Sequence, residues 1–234
     1  MLNLTDAVTA ASTGHTIHIA AGTYTFTSAS EGNITFDGSK TLVIKGAGAA
    51  TTIIDANLKH RHFYFSASSN GTLLDTTFKI MDLTLKNGRP QSNNGGGSVY
   101  MTGYHNSTLN RHHGHSPLFQ NVVFQSNQAK FTTNSYKTHG GAVYAYRSTP
   151  YFRNVTFKYN TAPREGGAIY CSSPDTNKTI TFERTTFTSN YLDTGTDVET
   201  SEYGGAVHLS NCGKVVFKNC VFDSNSVKIN SNSN

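Results

Sequence analysis

A glycine pair followed by a small residue and then a β-branched one occurs four times in the second half of this chain. The copies are Gly96-Gly97-Ser98-Val99, Gly140-Gly141-Ala142-Val143, Gly166-Gly167-Ala168-Ile169 and Gly204-Gly205-Ala206-Val207. A second motif interleaves with them, two phenylalanines five apart and an asparagine three further on: Phe119, Phe124, Asn127; Phe152, Phe157, Asn160; Phe182, Phe187, Asn190; Phe217, Phe222, Asn225. Both motifs fit in one unit of roughly 30 residues, the length scale of a solenoid rung. A chain with such a period builds its core by stacking like upon like, because no single unit can bury its own apolar face.

Alternation along each strand separates inside from outside. After each glycine pair one parity reads Val99 and Met101, Val143 and Ala145, Ile169 and Cys171, Val207 and Leu209, all apolar. The other parity reads Tyr100, Tyr144, Tyr170 and His208 and is expected to face solvent as a column. Phe152 and Phe157 must both point inward although they are five apart, so a corner is required between them. Asn154 is the natural place, matched by Asn121 and Asn219 and replaced by Arg184 in the remaining copy. Asn160 and its equivalents Asn127, Asn190 and Asn225 are expected to mark a second corner in left-handed backbone and to bond amide to amide from rung to rung. The glycine pair supplies the third corner, its first member free to take a positive φ and its second leaving room for the next rung.

These features predict an all-β chain, a single-stranded right-handed parallel β-helix with three faces. The expected boundaries are a cap at 1–15 with a short helix over 4–11, irregular rungs at 16–95, regular rungs at 96–225 and a polar tail at 226–234. In the first half, residues 16–20, 41–45, 52–55, 62–65 and 83–86 read as strands between glycine-rich turns. The last rung lacks a comparable cap, which leaves an end available for another molecule.

The paired glycines with Phe-x-x-Asn resemble the repeat of chlamydial polymorphic outer membrane proteins and of related right-handed β-helix proteins with a pectin-lyase-like fold. The opening, with Asp6-Ala7-Val8, Gly14 and Ala21-Gly22-Thr23-Tyr24, is similar to the capping segment and first coil of that superfamily. The resemblance implies a surface or secreted location and, for the polymorphic proteins, adhesion rather than catalysis. It does not extend to a membrane-anchoring barrel.

The net charge of +5 suits an acidic partner, but the 19 lysines and arginines are scattered, so no nucleic-acid partner is expected. No apolar run is long enough for a membrane-spanning helix. No cofactor, metal site or catalytic residue is expected. The strongest enzymatic alternative, a polysaccharide lyase or hydrolase, would draw on Asp55, Lys59, His60 and Arg61 with Asp82 and Arg89, none of which belongs to a repeat motif. A carbohydrate-binding module is the other alternative. His105, His112, His113 and His115 gather in one loop, where flexible surface histidines are the plain reading. Cys171 and Cys220 fall on inward parity as small apolar fillers, and Cys212 lies in a turn from which a disulfide to either is open.

Tyr100, Tyr144, Tyr170 and His208 are the candidate binding surface, for other proteins or for glycans. Six Asn-x-Thr sequons occur, and Asn33, Asn70, Asn106 and Asn177 are the candidate glycosylation sites, whereas Asn154 should stay bare at its corner. The sequence thus points to a non-catalytic extracellular or cell-surface β-helix, an adhesin or structural subunit. The loops at 127–140 and 190–204 are expected to carry partner specificity, and units are expected to associate end to end into a fibre, each bare C-terminal rung meeting the N-terminal end of the next.

Overall fold

A computed structural model describes residues 4–69, 71–92, 95–106, 111–130, 138–175, 177–193 and 203–228. The chain opens with the helix Leu4–Ala10, which buries Leu4 and packs Val8 against the core. Lys40 caps it, donating from Nζ to the carbonyls of Thr9 at 2.7 Å and Val8 at 3.3 Å, where the last turn of a helix carries partial negative charge. The remaining elements are short strands that coil into a parallel β-helix.

Three parallel sheets make the walls. The glycine-pair wall stacks Ile34–Phe36, Phe63–Ser66, Val99–Thr102, Val143–Tyr146, Ile169–Ser172 and Val207–Ser210. Its register is strict: Val99, Val143, Ile169 and Val207 lie over one another. The phenylalanine wall has twelve strands, among them Leu118–Gln125, Tyr151–Arg153, Thr156–Lys158, Thr179–Glu183 and Thr186–Thr188. The third wall is short, with Thr161–Ala162, Tyr191–Asp193 and Ser226–Lys228. Residues 226–228, placed by the sequence in a polar tail, are therefore a strand, because their backbone pairs with Tyr191–Asp193. Parallel strands joined by crossovers in one sheet coil to the right almost without exception.

The core is two columns of phenylalanine. Phe119, Phe152, Phe182 and Phe217 stack at 4.7–5.3 Å, and Phe124, Phe157, Phe187 and Phe222 at 4.7–5.1 Å, with rings nearly parallel. Within each rung the two rings meet edge to face, as Phe119 and Phe124 do at 62°. The corner between them is where expected. Asn121, Asn154, Arg184 and Asn219 all take φ of 49–53°, joined one rung earlier by Asp82.

The second corner corrects the sequence reading. Its left-handed residue is the one before each asparagine, Ser126, Tyr159, Ser189 and Ser224, with φ of 51–57°. The turn thereby frees Asn127, Asn160 and Asn190 to point inward, where they are fully buried. Each donates its side-chain N–H to a carbonyl of the preceding rung at 2.9–3.1 Å. The side-chain oxygens of Asn160 and Asn190 accept both the backbone N–H and the side-chain amide of the asparagine before them at 2.8–3.1 Å, and that of Asn127 accepts the Gly88 N–H at 2.8 Å. The predicted ladder is thus present, with buried asparagine side chains bonding rung to rung while the residue before each asparagine makes the turn.

At the glycine corner Gly96, Gly140, Gly166 and Gly204 take φ of 63–73°. The second glycine is a contact requirement: a Cβ on Gly167 would lie 2.0 Å from the carbonyl oxygen of Gly205. The last described rung is open, with Phe217 43% and Phe222 52% exposed beside Val221 and Val227.

Candidate functional site

Pairing of the glycine-pair wall stacks its outward residues into one aromatic column. Tyr100 and Tyr144 lie 4.8 Å apart at 11°, Tyr144 and Tyr170 5.1 Å apart at 8°, and Tyr170 and His208 5.5 Å apart at 40°. Tyr64 extends the column, 5.6 Å from Tyr100. Sequence reasoning passed over Tyr64 because its strand lacks a glycine pair, although the Phe63-Tyr64-Phe65 alternation carries the same parity.

The rings cover one another face to face, so Tyr144 is only 8% exposed although it sits on the outer surface. What the column offers to a partner is therefore ring edges and hydroxyls. Burial pushes the Tyr100, Tyr144 and Tyr170 hydroxyls above the usual phenol range, so they stay protonated as neutral donors.

Charged groups flank the column. The Arg61 guanidinium lies 4.7 Å over the Tyr100 ring. His139, Glu165 and Tyr203 form the backbone column just before the glycine pairs. Glu165 Oε2 lies 3.2 Å from His139 Nδ1 and 3.9 Å from His208 Nδ1, while the His139 ring stacks 4.8 Å from Tyr170. No group of three metal-ligating side chains occurs among the described residues.

The carboxylates of the enzymatic alternative are occupied elsewhere. Asp55 accepts from the Asn87 amide at 2.9 Å and lies 3.6 Å from Lys86, and Asp82 accepts from Asn121 at 2.7 Å and lies 4.0 Å from Lys45. Each belongs to a different corner ladder. Arg89 lines an open cleft of about 420 Å³ on the third wall, with Gln128, Lys130, Pro163, Tyr191 and Asp193.

The histidine group divides in the structure. His105 pairs with His112 in the antiparallel hairpin of Tyr104–Asn106 and Arg111–His113, the one antiparallel pairing among the described strands. His115 is instead fully buried and accepts the Leu74 N–H at Nδ1, which corrects its placement on a flexible loop. Burial holds its imidazole below the ordinary range.

Among the sequons, Asn33 takes φ 56° at a turn and Asn177 is exposed. Asn106 lies in the hairpin strand, and Asn70 lies outside the described residues. Asn154 donates its amide to Asn121 at 2.8 Å. The three thiols are free, Cys171 being fully buried and held protonated by that burial. Most of the loops at 127–140 and 190–204 lies outside the described residues.

The repeat model described as Chlamydia polymorphic membrane protein (PMP) repeat matches residues 154–172. That segment runs from the Asn154 corner through Phe157 and Asn160 to the glycine pair and the Ile169 strand, so it contains every corner of one rung. The chain is a parallel β-helix with PMP-like repeats. Columns of PMP-like residues are thereby explained as contacts between rungs: the asparagine as ladder, the phenylalanine as core and the second glycine as clearance. No curated protein and no solved structure matches the chain.

Proposed function

We propose that this chain is a non-catalytic surface protein that works as an adhesin through the outward face of its glycine-pair wall. The observation that carries the reading is the continuous column Tyr64–Tyr100–Tyr144–Tyr170–His208. Stacking has already immobilised these rings, so a partner that docks on their edges does not have to order them. Tyrosine and arginine side by side are the composition of protein-binding hot spots. The PMP-like repeats support surface placement, as they belong to a family named for membrane proteins.

Adhesion of the purified chain to whole cells tests the reading, with wild type compared against a Tyr100→Ser, Tyr170→Ser double variant of unchanged circular dichroism. Loss of adhesion in the variant is expected; equal adhesion overturns the assignment to this face. Turnover of pectate, alginate or a neutral glycan, lost on Lys59→Ala or Arg61→Met, would instead establish an enzyme.

The open rung at Phe217 and Phe222 favours a second role, self-association. Units would then join end to end, the exposed rung of one meeting the N-terminal end of the next. Light scattering that finds only monomer at high concentration excludes it.

A further inference from the structure

Arg61 is the anomaly of the outward face. The residue is 4% exposed, yet its guanidinium has no hydrogen-bond acceptor among the described residues, and Nε is sealed from solvent without a partner. Among the described residues its side-chain neighbours are aromatic, the Tyr100 ring at 4.7 Å and Tyr64. Among the described residues no carboxylate acts on it. A desolvated cation is costly unless it is paired and hydrogen-bonded, and folded proteins seldom leave one in that state without a use for it.

The main chain at Arg61 is held on three sides. The Arg61 carbonyl accepts the Asn33 N–H at 2.7 Å, its own N–H donates to His60 Nδ1 at 2.8 Å, and the Gly32 backbone packs so close that a Cβ there would lie 2.5 Å from the Arg61 oxygen. The planar guanidinium lies over the Tyr100 ring at the N-terminal end of the tyrosine column. With Nε enclosed, the Nη edge is the side left for a ligand, which suits the end-on, two-bond approach of a carboxylate.

We propose that Arg61, framed by Tyr64 and Tyr100, is a carboxylate-binding site for an acidic side chain of a partner protein. Burial lowers the guanidinium to about 10, still well above neutrality, so the site keeps its charge under physiological conditions. A protein rather than a sugar fits the surroundings, because the tyrosine faces on which a pyranose would stack are covered by each other. The net charge of +5 favours an acidic partner as well. This proposal rests on the adhesin reading above in naming what the face recognises.

The Arg61 side-chain N–H resonances in wild type, and the Tyr64 and Tyr100 resonances in wild type and variants alike, provide the assay. Acetate, a blocked glutamate peptide and glucuronate are titrated at constant ionic strength into the whole chain. Saturable shifts are expected, with acetate in the range of about 1–10 mM and the peptide about tenfold tighter. Binding should vanish in Arg61→Met, which keeps the apolar stem. If that variant does not fold, Arg61→Lys is expected to bind about tenfold more weakly, since an ammonium lacks the planar fork. No saturable shift, or equal binding by either variant, overturns the site. Glucuronate tighter than the peptide overturns the protein partner in favour of an acidic glycan. If wild type fails to adhere to cells while the titration succeeds, the adhesin reading falls and the carboxylate site stands.

Discussion

Acid should loosen the N-terminal rungs of this β-helix through one residue, His62. Its ring is fully buried, with Nε2 3.0 Å from the Ile54 carbonyl oxygen and Nδ1 3.0 Å from Ser98 Oγ. A carbonyl only accepts, so Nε2 carries the proton and Nδ1 receives the serine hydroxyl, a neutral tautomer with both nitrogens satisfied. Burial, the largest influence, depresses the imidazole from its ordinary 6.5 to about 4. The unfolded chain therefore takes up a proton that the folded chain refuses. Stability from this group is complete above about pH 6.5, declines as pH falls toward 4 and levels off below that. At about 1.4 kcal/mol for each tenfold in proton affinity, the loss across the window is about 3 kcal/mol.

Hydrogen exchange at the amides of Ile34 and Phe63 reads the effect locally, since they donate to the carbonyls of His62 and Ser98. Local readout matters in a solenoid, whose rungs open in part rather than all at once. Wild type is expected to lose protection at these amides between neutral pH and pH 4, and His62→Gln, which removes the titrating group, should show a much flatter profile. His60 and His115 are present in both proteins, so their shared contribution cancels in the comparison. The same slope in both proteins, or a His62 ring that titrates near 6.5 by NMR, would refute the argument.

Three further outcomes follow from the columns. Asn160→Ala strands the buried N–H groups of Asn127 that bond to its oxygen and should cost about 2–4 kcal/mol by urea denaturation, whereas Asn154→Ser at the exposed corner should cost under about 1 kcal/mol. Gly167→Ala drives a methyl into the Gly205 carbonyl and should yield little soluble protein; Gly14→Ala, at φ +87° with open space around it, should lower stability by only about 1 kcal/mol. Phe157→Ala, between Phe124 and Phe187, should cost about 3–5 kcal/mol, while Phe222→Ala on the open rung should cost far less unless self-association covers it, a contrast that thermal melts at two concentrations would reveal.

The repeat was legible because each motif residue answers to a local rule. Positive φ at the first glycine, left-handed backbone at Asn121, Asn154 and Asn219, and alternation after each pair follow from backbone sterics and strand geometry. Other features depend on neighbours distant in sequence. That Lys40 caps the helix, that His115 is a buried anchor for Leu74, and that the asparagine ladder is internal while its preceding residue makes the turn are set by which rung lies above and below. The tyrosine parity could be read from one strand, but the covering of each ring by the next required the stack itself. Arg61 is the extreme case: as a letter it looked like one charge in a solvated turn, and only the close approach of Gly32, Tyr64 and Tyr100 took its water away. Period, the glycine corner, the corner between the phenylalanines and the inward face were thus determined by sequence, since they arise from each residue's own backbone and side-chain preferences. Burial of charge and accessibility of aromatic faces were decided by tertiary structure, because solvent exclusion is a property of the assembled rungs and of no single segment.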